Sequence, residues 1–181
     1  YKAWGFLILW FLYVYLEFSA YSDTAIGASR LFGLRIMENF NWPILARNIG
    51  DFWKRWHMTL AGWCQAYVYM PLIGSTRNPY VATMTAFLII GIWHGGTWGW
   101  VFWGLFHGAG VATFVYWSQW KRRRKIKIPD TLPFRLVSNG LTLAFVSAAG
   151  ALPAVDAAGG GPWDAVRVLA KLLFLELPPW Q

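Results

Sequence analysis

Charge is scarce in this chain of 181 residues: Asp, Glu, Lys and Arg together make up 13% of it, about half the share usual in a soluble domain. That scarcity argues against a water-soluble fold and for a membrane protein. Cysteine occurs once, at Cys64, which excludes an internal disulfide and a Cys-based metal cluster. No Gly-x-Ser-x-Gly elbow is present, so a serine acyl-enzyme has no motif to rest on. A Gly-rich phosphate loop is also missing, and no signal peptide is visible in these residues. The chain opens on Tyr1 rather than Met and enters an apolar run at once. It is expected to be part of a longer protein whose N-terminal portion it lacks.

What is abundant is apolar and aromatic: 57% hydrophobic residues, 19% aromatic, and 14 Trp. The net charge of +8 is concentrated in Arg30 to Arg55 and in the run Lys121 to Lys127. Basic clusters beside apolar runs mark loops that face the cytoplasm and its anionic lipids. Membrane lipids are therefore the expected partners of these clusters, and nucleic acid is not.

Trp4 to Tyr21 is long enough to span a bilayer, with Glu17 and Asp23 towards its polar end. Residues 28–36 suit a short interfacial helix. Residues 48–70 predict one longer interfacial helix, because Ile49, Trp53, Trp56, Leu60, Trp63, Tyr67 and Met70 recur at helical spacing; Pro71 and Gly74 end it. Residues 80–94 and 98–117 read as spans that begin and finish on the cytoplasmic side. The first is about 20 Å long, short of a hydrocarbon core of about 30 Å, so its last residue, His94, arrives within the bilayer. Gly95 and Gly96 then loosen the backbone at a depth where irregular chain must line a cavity or be buried in protein. Residues 134–152 form a weaker Ala/Gly/Ser-rich span. Residues 163–177 suit an amphipathic helix with Trp163, Val166, Leu169 and Leu173 on its apolar side.

The chain has three histidines, His57, His94 and His107. His94, in Gly91-Ile92-Trp93-His94-Gly95-Gly96, has the best surroundings for chemistry. Glycines allow close approach, and Trp93 and Trp98 are placed to wall off a pocket. A near-neutral imidazole can take a proton from a hydroxyl as it attacks a carbonyl, which is the need of acyl transfer. Haem or metal ligation is a rival reading, but the spacings give no i, i+4 pair, so no metal is expected. Another rival is a transporter or acyl-relay channel with a His-lined path and no chemistry of its own. Residue patterns alone thus lead to an all-α, polytopic transmembrane protein with an intramembrane histidine site and interfacial or re-entrant helices.

Several ordered motifs carry a resemblance. Phe52-Trp53-Lys54-Arg55-Trp56-His57-Met58-Thr59-Leu60 is followed by Tyr67-Val68-Tyr69-Met70-Pro71-Leu72, by the His94 motif, and by Trp103-Gly104-Leu105-Phe106-His107-Gly108. Upstream stand Phe18 to Gly27 and Glu38-Asn39-Phe40-Asn41. Over Tyr15 to Trp117 the chain resembles the membrane-bound O-acyltransferase (MBOAT) family, in its bacterial alginate O-acetylation branch, with the teichoic-acid D-alanyl transfer proteins as relatives. The resemblance implies a chamber of many helices, of which residues 1–181 form the C-terminal part. It implies a multi-pass protein of the inner (cytoplasmic) membrane. The donor would be acetyl-CoA or a similar acyl thioester reaching the site from the cytoplasm, with no tightly bound cofactor. The acceptor would be an exported polysaccharide, or a periplasmic relay or acetyltransferase protein, on the other face. By the motif, His94 is the catalytic base and His57 assists on the cytoplasmic funnel. Arg55, Trp56, Asn41 and Trp93 are the expected substrate-binding residues, and His107 is structural.

Overall fold

In a computed structural model, which describes residues 2–173 and 175, the chain is helical from end to end, and the described residues contain no β-strand. The longest element is α1, Lys2–Leu31, about 45 Å at 1.5 Å per residue. It absorbs the start of the interfacial helix expected at 28–36: the helix runs on to Leu31, and Gly33, at φ +75°, turns the chain out of it. Phe6, Leu9, Tyr13 and Leu16 stand exposed along its outer face, while Leu7 and Phe11 are buried.

The helix predicted over 48–70 is broken. Its pieces are α2 (Ile49–Trp53) and α3 (Met58–Cys64), the latter running through a wide π turn at Gln65–Tyr69 into α4 (Met70–Thr76). The first break has a tertiary cause. The extended segment around Asn39 and Asn41 bonds to the backbone between the pieces: Asn41 N–H donates to the Arg55 carbonyl (2.9 Å) and Met58 N–H to the Asn39 carbonyl (2.9 Å). His57 sits between them with left-handed backbone, φ 44°. Pro71 does not end the helix. It falls in the first turn of α4 directly after the π turn, where its missing N–H is not needed. The apolar stripe divides accordingly: Trp53 is buried, whereas Trp63, Tyr67 and Met70 are exposed.

Asn78 caps α5 (Pro79–His94) by accepting from the N–H groups of Tyr80 (2.9 Å) and Val81 (3.2 Å). Gly95 and Gly96, the latter at φ +64°, turn the chain after His94, and α6 (Trp98–Arg123) packs back along α5. The two helices cross at Gly91 and Gly104. A Cβ on either glycine would collide with the main chain of the other helix, at the Trp100 and Phe87 carbonyls respectively. Close approach through small residues is how helices associate in membranes.

The remaining elements are α7 (Leu132–Ala149), α8 (Ala151–Ala157) and α9 (Pro162–Leu172). α7 and α8 form one nearly continuous helix interrupted at Gly150, three residues before Pro153, whose ring removes a ladder bond. Asn139 of α7 donates to the carbonyls of Ile44 and Ala46 (both 2.8 Å) and so holds the turn at Pro43–Leu45 in place. Trp4 Nε1 donates to the Leu172 carbonyl (2.9 Å) and ties α1 to α9. In α9 the buried residues are Ala165, Ala170 and Leu172, while Trp163, Val166 and Leu173 face outwards. Of the apolar stripe that the spacing suggested, Leu169 packs against the buried cluster of Leu7, Ala151 and Leu172, and the other three residues are left exposed. Residues 174, 176 and 177 of the helix expected there lie outside the described residues.

Two helical stretches, Lys2–Leu31 and Leu132–Ala157, are long and apolar enough to cross a membrane by length and composition; Pro79–His94 is apolar but shorter.

Candidate active site

α1, the α2–α3 break, α5, α6 and the α7–α8 bend enclose a cavity of about 300 Å³, and all three histidines line it. Its wall is mostly aromatic and aliphatic: Phe11 and Phe18 from α1, Phe52 and Trp56 before the break, Trp100 and Trp103 from α6, and Val146 from α7.

His94 is the last residue of α5. Its ring stacks on Trp100 (centroids 4.7 Å apart, planes 19° apart) and meets Trp103 and Trp93 edge-on, at 5.4 and 5.0 Å. Neither ring nitrogen has a hydrogen-bond partner among the described residues. Its orientation is therefore set by aromatic packing. The turn after it is anchored by Thr97, whose hydroxyl donates to the Asp156 carboxylate in α8.

His57 lies outside the spanning helices, in the α2–α3 break, and its ring sits edge-on to Phe18 (4.8 Å) and Trp93 (6.3 Å). Its Nδ1 is 3.0 Å from Asn39 Oδ1. Burial, helped by the nearby His94, pushes its pKa down to about 4, so the ring is neutral at physiological pH.

His107 is 1% exposed. The Trp53 indole N–H donates to its Nδ1 at 3.3 Å. An indole only donates, so the neutral ring carries its hydrogen on Nε2, an atom with no hydrogen-bond partner. Trp103 packs against His107 at 4.6 Å and links it to His94.

The other residues singled out in the sequence are placed differently. Trp56 lines the cavity. Trp93 lies beside it, in ring contact with both His57 and His94, and is 63% exposed. Arg55 is not among the cavity-lining residues: its Nε donates to Asp51 Oδ1 (2.8 Å) and its Nη1 to the Asn41 carbonyl (3.2 Å). Asn41 takes part through its backbone. Trp98 pairs with Phe102 rather than walling the cavity, and the walls are Trp100 and Trp103. The sequence reading missed Asn39, two residues before Asn41, which is buried and bonded to His57. Its signal was a second Asn in the same short motif. Among the described residues no cluster of His, Cys, Asp and Glu is arranged to hold a metal ion.

An imidazole in an aromatic-lined cavity with no hydrogen-bond partner on either ring nitrogen can act as a general base, and a second imidazole on the same cavity can carry the proton onward. The chain is similar to curated proteins that handle acyl groups. It is 35% identical to the peptidoglycan O-acetyltransferase of Helicobacter pylori over 148 residues, 80% of this chain and 28% of that one. It is 39% identical to the probable alginate O-acetylase AlgI of Azotobacter vinelandii over 113 residues, 61% of this chain and 23% of that one. To the teichoic acid D-alanyltransferase of Bacillus subtilis it is 31% identical over 124 residues, 63% of this chain and 31% of that one. The chain spans about a quarter of the length of the first two relatives. The profile of the membrane-bound O-acyltransferase family, MBOAT, matches residues 2–145, reaching beyond the Tyr15–Trp117 stretch that carries the motifs, and the chain belongs to that family.

Proposed function

We propose that this chain is the histidine-bearing part of a multi-pass inner-membrane O-acyltransferase. It moves an acyl group, acetyl in the first instance, from a cytoplasmic thioester such as acetyl-CoA towards a hydroxyl of an exported polysaccharide, directly or through a periplasmic relay protein. The observation that carries the reading is the meeting of His94, His57 and His107 on one aromatic cavity, in a chain whose relatives are named for O-acetyl and D-alanyl transfer.

The chemistry follows from the groups present. His94 takes the proton of the acceptor hydroxyl while the oxygen attacks the thioester carbonyl carbon. The tetrahedral intermediate collapses with loss of the C–S bond, and the thiolate regains a proton as it leaves. The products are an ester and a thiol, with no net change in protonation of the protein. The aromatic wall keeps water from competing with the acceptor. Its volume suits an acyl group with part of its carrier, near the lower end of small-molecule sites.

The experiment is complementation of a deletion strain with the full-length gene, wild type or His94→Ala, at matched membrane expression. Ester-linked acetyl on the secreted polymer is then read by NMR. The expected result is acetylation with wild type and a loss of at least about 100-fold with His94→Ala, the scale of a missing general base. Acetylation that survives the substitution would overturn the reading.

A further inference from the structure

Asn39 is 8% exposed, and every hydrogen-bonding edge of its side chain is used. Its Nδ2 lies 3.1 Å from Ser22 Oγ in α1. The Ser22 hydroxyl hydrogen is committed to the Phe18 carbonyl at 2.9 Å, so Ser22 can only accept from Asn39. On the other edge, the Asn39 oxygen faces the Thr59 hydroxyl (2.9 Å) and the Thr59 backbone N–H (3.4 Å). A backbone N–H can only donate. Two one-way partners, on opposite edges, thus fix the amide orientation: oxygen towards residues 57–59, nitrogen towards α1.

This orientation decides the state of His57. The His57 Nδ1 stands 3.0 Å from the Asn39 oxygen and 3.4 Å from the Thr59 hydroxyl, whose hydrogen goes to the nearer Asn39 oxygen at 2.9 Å; both atoms facing Nδ1 then accept, so Nδ1 must carry a hydrogen. In the neutral ring Nε2 is then bare. Asn39 does not line the cavity, whereas His57 does, so the edge of the ring turned from Asn39 is the one left for the cavity. The main chain reinforces the clamp, because Met58 N–H donates to the Asn39 carbonyl (2.9 Å). It holds His57 in left-handed backbone, φ 44°, a conformation a non-glycine residue keeps only where its surroundings impose it.

We propose that Asn39 is a positioning residue that fixes His57 as the Nδ1–H tautomer, with a bare Nε2 on the reaction cavity, and so makes it the proton carrier between His94 and the leaving thiolate. This deepens the acyl-transfer reading and rests on it. The proton that His94 removes from the hydroxyl passes to His57 Nε2. The cationic ring keeps its Nδ1–H on the Asn39 oxygen, and Nε2–H then protonates the sulfur as the C–S bond breaks. With the other tautomer Nε2 would already carry a hydrogen and could not accept one.

The test uses the full-length protein in lipid nanodiscs with ¹⁵N-labelled histidine, His57 being assigned by its loss in His57→Gln. Acetyl-CoA turnover with a short oligosaccharide acceptor is measured in parallel. The wild-type spectrum alone decides the tautomer: a pyrrole-like Nδ1 and a pyridine-like Nε2 are expected, and the reverse overturns the proposal. In Asn39→Leu the Nδ1–H preference should vanish and kcat fall by about 100-fold, with KM for acetyl-CoA unchanged. Asn39→Asp keeps an acceptor oxygen beside Nδ1 and should keep the Nδ1–H, but its charge favours the cationic ring, so the pH profile of kcat should move to higher pH. If Asn39→Leu changes neither tautomer nor kcat, or changes the tautomer alone, Asn39 is not a positioning residue. A wild-type protein with the expected tautomer and no acetyl turnover would instead overturn the acyl-transfer reading, and the proton-carrier role with it.

Discussion

The Trp53–His107 pair shows how one residue serves both packing and polarity in this interior. Both rings are buried, and the indole N–H has His107 Nδ1 as its acceptor. Removing one partner strands the other, at about 1–3 kcal/mol for a buried unsatisfied group, whereas replacing both by apolar rings avoids that term. His107→Phe and Trp53→Phe should each lower the unfolding midpoint of the detergent-solubilised protein. The double substitution should cost less than the sum of the two, because neither half of the bond is left behind. Additive losses would mean that the 3.3 Å contact contributes nothing. Arg55 makes the opposite point about charge. It is bonded to Asp51 and to the Asn41 carbonyl, so Arg55→Lys should loosen the Asn39–Asn41 segment rather than subtract a substrate contact. The expected reading is a fall in kcat with KM for the donor unchanged, since a lysine lacks the planar fork that reaches both partners.

At the scale of elements, the α5–α6 hairpin sets where His94 stands. Gly91 is three residues before His94, and the Cα of Gly104 lies 3.3 Å from where a Gly91 Cβ would be. Gly91→Ala and Gly104→Ala must therefore push the helices apart. Overpacking of this kind typically costs about 1–3 kcal/mol, and the rings of Trp100 and Trp103 that hold His94 ride on the helix that moves. Both variants should show a lower unfolding midpoint and weaker acetyl transfer at equal membrane level. A variant with full stability would show that the hairpin has room the crossing does not reveal. This hairpin was legible in the sequence, because its signals are local: a Pro-led apolar run, a His-Gly-Gly stop, a second aromatic run. The α2–α3 break was not. Its cause is the pairing of Asn39 and Asn41 with Arg55 and Met58, across 14 and 19 residues, and helical periodicity carries no trace of it. For the same reason the sequence pointed at Asn41 rather than Asn39: both are polar, and only the folded register shows which side chain turns inwards. The π turn before Pro71 was hidden too, since a proline normally signals an end.

The described residues are asymmetric in charge and in apolar surface, and the two asymmetries favour one orientation, which labelling can test. Lys121 to Lys127 extends from the end of α6, with Lys121 and Arg124 resting on the rings of Trp117 and Trp120. Tryptophan rings beside a basic run belong at the headgroup level of a cytoplasmic leaflet. α1 and α7 carry exposed apolar residues such as Leu9, Leu16, Leu136 and Leu141, surface that only lipid or further protein can cover. If Lys121 to Lys127 lies in the cytoplasm, then α6 runs from the depth of the membrane towards it. α5 begins on the same side, and His94 sits at the inner turn between them. Its depth follows from length: 16 residues of α5 climb about 24 Å, less than a core of about 30 Å. A cysteine placed at Lys125 tests this directly. The chain's own Cys64 is 3% exposed and gives little background, once cysteines elsewhere in the full-length protein are replaced. Lys125→Cys should resist a membrane-impermeant maleimide in intact spheroplasts and react after permeabilisation. Labelling without permeabilisation would invert the orientation. It would place the entrance of the α5–α6 hairpin on the outer face, and the cytoplasmic donor proposed above would then have to cross the chamber before meeting His94.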